Sequence, residues 1–205
     1  MDMEVYVLDL DTLRPRMEEA LALLSPGRRE KALRLCREDA RLQSIGAGLL
    51  LAHFFGPSDP VIGAGGKPFF PGGRHFSLTH SGALAAIALA DGPVGLDAEA
   101  DRPVSPAVVR RTMGPEERAW LEVRGYEGFA FLWTRKEAAL KCLGTGVDRD
   151  PASICVLPER ELVLDGIRLS LHTVRRGAFT LSAACEGSAV FVPETADIRE
   201  LLKGV

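Results

Sequence analysis

No two of the four cysteines stand in a CxxC pair: Cys36, Cys142, Cys155 and Cys185 are scattered over the chain. That spacing excludes a zinc knuckle and a disulfide framework, and it predicts buried, reduced thiols. A basic excess is missing as well. Lys and Arg number 25 against 28 Asp and Glu, a formal net charge of −3, so no global field exists to hold nucleic acid or an anionic membrane. An anionic ligand would need a local basic patch. The longest uncharged apolar run, Ala83 to Ala90, is far too short to cross a bilayer, so no membrane span is expected. The opening MDMEVYVLDLD alternates apolar and acidic residues, with neither a positive start nor an apolar core. It reads as a first strand and not as a leader, which makes the cytoplasm the expected compartment. No internal repeat and no phosphate-loop signature is found. In GAGGKPFFPGG, Pro68 stands where a Walker loop needs Ser or Thr and Val61 where it needs glycine, and Pro68 also breaks a dinucleotide fingerprint.

What is present is enough apolar material for a sizeable core. The chain has 205 residues, 46% of them hydrophobic, which suits one domain or two compact halves. Val5–Leu10 reads as a strand and Arg16 to Leu24 as a helix, and Ser25-Pro26 has the form of an N-cap followed by proline at the first helical position. The helix beginning there is basic in its first half, with Arg28, Arg29, Lys31, Arg34, Arg37 and Arg41, and apolar in its second, with a break near Cys36–Asp39. Such a charge run is usually a solvated face. Gly56 to Gly73 is loop, leaving Lys67 as a lone cation on a turn. His75–Thr79, Leu84–Ala90 and Val94–Ala98 follow as short strands, read as an antiparallel meander.

Beyond Asp101, Ser105-Pro106 and Gly114-Pro115 mark two more helix starts that look structural. The stretch FAFLWTRKEAALKCLGTG then places Phe129, Leu132, Trp133, Leu140 and Leu143 on one apolar stripe of a helix ended by Gly144-Thr145-Gly146. Strands near Ile154–Leu157, Leu162–Leu164, Arg168–Val174, Thr180–Cys185 and Ala189–Val192, and a closing helix Asp197–Lys203, complete the chain. The order of helices followed by strands thus occurs twice.

Three polar features stand out. Asp97 and Glu99, at i and i+2, leave one face of a strand within reach of a single cation, although a solvent-facing strand end would look the same. Trp133, Glu137 and Lys141 stand above one another at i, i+4 and i+8, which a surface ion pair would also explain. Lys136 falls inside the apolar stripe and must snorkel or meet an anion. Together with His80 and Lys67, three carboxylates and several cations suit a Mg²⁺-dependent reaction on a phosphorylated ligand. A serine hydrolase using Ser81 beside His80 is a poor rival, because neighbours on a strand point to opposite faces and no GxSxG elbow is present. A non-catalytic binding module is a second rival, but it would not need the full set of Asp97, Glu99, Glu137 and Lys141.

The stretches LLSPGRREKALRLCREDARLQSIG, GKP, FSLTHSG, VGLDAE and FLWTRKEAALKCLGTG, in that order, resemble the 4′-phosphopantetheinyl transferases of the Sfp type over nearly the whole chain. The resemblance implies an α+β fold of two similar halves, each helices plus an antiparallel sheet, related by a pseudo-twofold axis. The halves would be residues 1–101 and 102–205, with the site between them. It implies transfer of the phosphopantetheine arm of coenzyme A to a serine of an apo acyl, polyketide or nonribosomal-peptide carrier, releasing adenosine 3′,5′-bisphosphate. A monomeric protein is expected, with neither nucleic acid nor membrane as partner. By the same resemblance Asp97, Glu99 and Glu137 hold Mg²⁺ and Lys141 offsets phosphate charge. His80, Ser81, Arg28, Lys31 and Arg37 lie toward the coenzyme's phosphates, and Lys67 lines the nucleotide pocket. The base that activates the serine is Glu137, a metal-bound water or Glu117. The sequence departs from the family in carrying Ser77 for the common Asn and Thr79 for the usual Ser, both of which keep a hydroxyl's hydrogen-bonding capacity. It is also one residue shorter between Lys31 and Asp39.

Overall fold

The computed structural model describes residues 2–63, 65–125, 128–145, 149–157 and 162–203. Its first part contains β1 (Met3–Asp9), α1 (Leu10–Leu13), α2 (Met17–Leu23), α3 (Pro26–Leu33), α4 (Glu38–Phe55), β2 (Val61–Ile62), β3 (Pro68–Phe69), β4 (His75–Ser81), β5 (Leu84–Ala90) and β6 (Val94–Ala100). Its second part contains α5 (Pro106–Thr112), α6 (Pro115–Arg124), α7 (Phe129–Leu143), β7 (Leu162–Leu164), β8 (Ile167–Arg176), β9 (Phe179–Glu186), β10 (Pro193–Thr195) and α8 (Ile198–Leu201). The expected α+β architecture is present. Ser25 and Ser105 cap α3 and α5 through their side chains, each ahead of a proline, and Gly144 closes α7 in the left-handed region at φ 69°. The expected helix end at Gly146 lies outside the described residues.

Two four-stranded sheets form the middle of the molecule, in the orders β10-β1-β5-β4 and β6-β9-β8-β7. Alternation along the strands sorts their side chains into three cores. Leu8, Phe76, Ala85, Ile87 and Leu89 pack under α1–α4. Val5, Val7, Ala86 and Ala88 meet Leu96, Ala98, Leu181 and Ala183 between the sheets. Leu169 and Ala184 meet Leu132, Ala138, Ala139 and Leu140 of α7 beneath the second sheet. The result is helix, sheet, sheet, helix.

The meander expected from β4, β5 and β6 is not formed. β4 and β5 pair antiparallel, but β6 turns away at Pro93 and pairs with β9, Asp97 opposite Ser182. The physical reason is burial. β6 is buried from Val94 to Ala98, and at the edge of the second sheet one of its faces meets the first sheet through Val94, Leu96 and Ala98 while the other lies under α7 at Gly95. β10 makes the reverse crossing and runs parallel to β1, so strands pass both ways over the expected division at residue 101. The segments near Ile154–Leu157 and Ala189–Val192, expected as strands, join no ladder. Pro151–Ser153 instead forms a 3₁₀ turn.

β6 lies under α7 at a glycine. A Cβ on Gly95 would stand 1.8 Å from the Ala138 carbonyl oxygen and 2.5 Å from the Cys142 amide nitrogen. Both are helix backbone and cannot step aside. Gly95→Ala is therefore expected to cost at least about 1–3 kcal/mol and to push α7 off the strand that carries Asp97. Urea unfolding reads this, and an unchanged midpoint would contradict the close approach.

Candidate active site

Asp97 and Glu99 leave β6 on the face that Gly95 presents to α7, and α7 brings Glu137 and Lys141 over them. The Asp97 side chain is nearly buried. Its Oδ1 accepts from Lys141 Nζ at 2.6 Å and from Thr79 Oγ1 at 3.1 Å. Burial raises the Asp97 carboxyl above its ordinary value, against the opposing pull of the Lys141 ammonium. Glu99 takes the Arg102 guanidinium on Oε1 at 2.6 Å and the Ser81 hydroxyl on Oε2 at 3.3 Å. Glu137 is half-buried, and among the described residues its carboxylate has no hydrogen bond. Burial, and then the nearby Asp97, raise it above the usual carboxylate range. Lys141 therefore pairs across to Asp97, and the i, i+4 surface pair with Glu137 is not what these residues form.

Two adjoining cavities run along this face. The larger, about 850 Å³, is walled by Gly65–Pro68, by Val108, Arg111 and Thr112 of α5, and by Arg149–Pro151. The smaller, about 380 Å³, is lined by Lys31, Thr79, His80, Asp97 and Glu99 among others. Arg28, Leu78, Trp133, Glu137 and Lys141 line both. A chain of net charge −3 thus gathers Arg28, Lys31, Lys67, Arg111 and Lys141 around these two cavities, the local basic patch an anionic ligand requires. Desolvation, followed by the Lys141 and Lys31 charges, holds the His80 imidazole below its ordinary value. Burial lowers Arg28, with Asp59 opposing.

Comparisons with known proteins find similarity over the part of the chain that forms this face. A family model described as the 4′-phosphopantetheinyl transferase superfamily matches residues 93–181, the span holding Asp97, Glu99, Glu137 and Lys141. The 4′-phosphopantetheinyl transferase Sfp of Bacillus subtilis (strain 168) is 28% identical over 163 residues, 71% of this chain and 72% of the relative. Over residues 93–181 the chain is thus similar to the 4′-phosphopantetheinyl transferase superfamily, and over 71% of its length to Sfp. The transferase psf-1 of Bacillus pumilus is 36% identical over 77 residues, 36% of this chain and 33% of that one. The transferase gsp of Aneurinibacillus migulanus is 30% identical over 86 residues, 40% and 36% of the two chains.

The structure places several of the residues expected at the site elsewhere. Arg37 is the N-cap of α4 and lines neither cavity. Ser81 lines neither as well, since its hydroxyl accepts from the Ala100 amide and donates to Glu99. Lys67 reaches the larger cavity, but its ammonium is tied to the Val94 and Cys142 carbonyls at 2.8 and 3.2 Å. It joins the start of β6 to the end of α7, and a Cβ on neighbouring Gly65 would meet the Gly144 carbonyl oxygen at 1.8 Å. Glu117 is fully buried. Its oxygens take the Gly114 and Val156 amides and the Lys136 ammonium, the last at 2.6 Å, which removes it as a base for an incoming serine. The same pair explains Lys136, fully buried and further satisfied by the carbonyls of Pro151 and Ile154.

Sequence reasoning read α5 as structural, yet Val108, Arg111 and Thr112 wall the larger cavity. The adjacent Arg110 and Arg111 were the signal that could have marked it. Among the described cysteines Cys142 and Cys185 are buried as expected, Cys155 is partly so and Cys36 is exposed, all with free thiols. No described helix is long and apolar enough to cross a membrane.

The metal expectation meets a mixed arrangement. Among the described residues no three His, Cys, Asp or Glu side chains stand as a ready-made cage, and Lys141 and Arg102 pair with Asp97 and Glu99. The donor set nonetheless fits a hard divalent ion. Three carboxylates line one cavity, one of them without a hydrogen bond, and an ammonium already neutralises the most buried.

Proposed function

We propose that this chain transfers the 4′-phosphopantetheine arm of coenzyme A to a serine of an apo acyl or peptidyl carrier protein, a holo-acyl-carrier-protein synthase type of reaction. The observation that supports this best is the cavity of about 380 Å³ that Asp97, Glu99, Glu137 and Lys141 all line together with Arg28, Lys31 and His80. The serine oxygen forms a bond to the phosphorus that bears pantetheine, the P–O bond between the two phosphates breaks, and adenosine 3′,5′-bisphosphate leaves. Asp97, Glu99 and Glu137 would hold Mg²⁺, which supplies positive charge to the diphosphate and its leaving oxygen. Lys141 exchanges its contact with Asp97 for phosphate oxygens. With Glu117 buried, Glu137 is the carboxylate of this face available to take the serine proton. Arg28, Lys31 and His80 face the 3′-phosphate, while the backbone around Lys67 shapes the nucleotide pocket. Every group comes from one chain, so a monomer suffices, and the free thiols agree with a cytoplasmic setting.

His80 provides a pH test. A lowered imidazole is neutral at pH 7, and a bound phosphate dianion favours its protonated form. Coenzyme A binding should then take up a proton, and affinity should rise as pH falls from 8 toward the phosphate's own titration near about 6. Calorimetry in buffers of different ionisation enthalpy measures the uptake, and His80→Gln should abolish it. Equal enthalpies in all buffers would remove His80 from the phosphate site. The reaction itself is tested by incubating the chain with coenzyme A, Mg²⁺ and a panel of apo carriers and following adenosine 3′,5′-bisphosphate. Release that depends on carrier is the expected result, and none with any carrier would refute the proposal.

A further inference from the structure

β4 and β6 are edge strands of different sheets, and side chains join them where backbone pairing does not. Ser77, Thr79 and Ser81, at i, i+2 and i+4 of β4, accept the amides of Leu96, Ala98 and Ala100 of β6 at 2.9, 3.1 and 3.1 Å. Each hydroxyl thereby satisfies a strand N–H that would otherwise be orphaned. A hydroxyl that accepts still has its own proton to give. Thr79 donates it to Asp97 Oδ1 at 3.1 Å and Ser81 to Glu99 Oε2 at 3.3 Å, so each holds the carboxylate one residue before the amide it receives. Ser77 has no such acceptor, because Gly95 stands at the corresponding place. The seam thus contains two rungs that orient an acid and one that only joins the sheets.

We infer that Thr79 and Ser81 are positioning residues that aim Asp97 and Glu99 at the metal, an inference that rests on the transferase reading of this site. Asp97 and Glu99 also carry Lys141 and Arg102, long side chains able to swing onto a ligand, whereas the hydroxyls are fixed by the β6 amides. When the cations leave, the hydroxyl bonds remain and keep both carboxylates in the rotamers from which they bind. Groups of this kind, behind the ligands, set metal affinity through orientation and ligand basicity.

The test compares the three rungs. Mn²⁺ is the probe, titrated into the full chain in the presence of coenzyme A and read by calorimetry or electron paramagnetic resonance. Thr79→Val removes the donor and should weaken binding by about tenfold or more. Ser81→Ala, at the less buried end of the seam, should shift binding in the same direction, and it keeps the test usable should Thr79→Val fail to fold. Thr79→Ser should restore the wild-type constant. Ser77→Ala should lower the melting temperature as the other two do and leave Mn²⁺ binding unchanged. If all three rungs weaken binding alike, or none does, the hydroxyls only join the sheets and the inference is overturned. A wild-type chain that binds no Mn²⁺ would overturn the transferase reading and this inference with it.

Discussion

Asp97→Asn is expected to abolish carrier modification, lowering kcat/KM by about a thousandfold or more. A metal's stabilisation of transition-state charge is worth several kcal/mol, and about 1.4 kcal/mol corresponds to tenfold in rate. Two consequences combine at this position. The variant loses a metal ligand, and Lys141, whose only ion pair among the described residues is with Asp97, is left to crowd the site with uncompensated charge. The fold should survive. The carboxyl is buried and its proton affinity is raised by that burial, so a neutral amide of the same shape removes a charge the interior disfavours. Melting at wild-type temperature with turnover lost is the expected pair of observations. Full activity would remove Asp97 from the metal site, and unfolding would show it to be structural.

The second large effect is on stability. Lys136→Met should destabilise the chain by about 3–5 kcal/mol, the usual cost of breaking a buried pair by removing one partner. Lys136 and Glu117 are both fully inaccessible, and the ammonium also holds the carbonyls of Pro151 and Ile154. Without it Glu117 keeps two amide donors but loses its counter-charge. The double variant Lys136→Met with Glu117→Gln should recover part of the loss, since the buried negative charge has gone. Urea midpoints of the two single variants and the double variant close the cycle. Strictly additive costs would contradict the pairing.

Lys136 also shows how far a sequence can be read. Its place on the apolar stripe of α7 required an anion, but periodicity describes one helix and cannot say which residue of another, here Glu117 of α6, will meet it. The same holds for β6. Its alternation marked a strand and put Asp97 and Glu99 on one face, yet alternation carries no information about partners, and chain order suggested β5 where burial of both faces selected β9. Signals that act within a few residues were legible: the Ser25-Pro26 and Ser105-Pro106 starts, the Gly144 stop, the stripe from Phe129 to Leu140. The cluster of Asp97, Glu137 and Lys141 was legible through motif spacing. The donors behind it were not, because Ser77, Thr79 and Ser81 are ordinary strand hydroxyls until a second sheet arrives beside them. Ser81, read as a coenzyme contact, turns to Glu99 for that reason.

The most direct measurement is the intact mass of the carrier. An apo carrier protein incubated with this chain, coenzyme A and Mg²⁺ should gain the mass of one phosphopantetheine on a single serine, and a carrier with that serine replaced by alanine should gain nothing. Carriers of the fatty-acid, polyketide and nonribosomal-peptide types that all keep their apo mass, with a well-folded protein and saturating coenzyme A, would contradict the account.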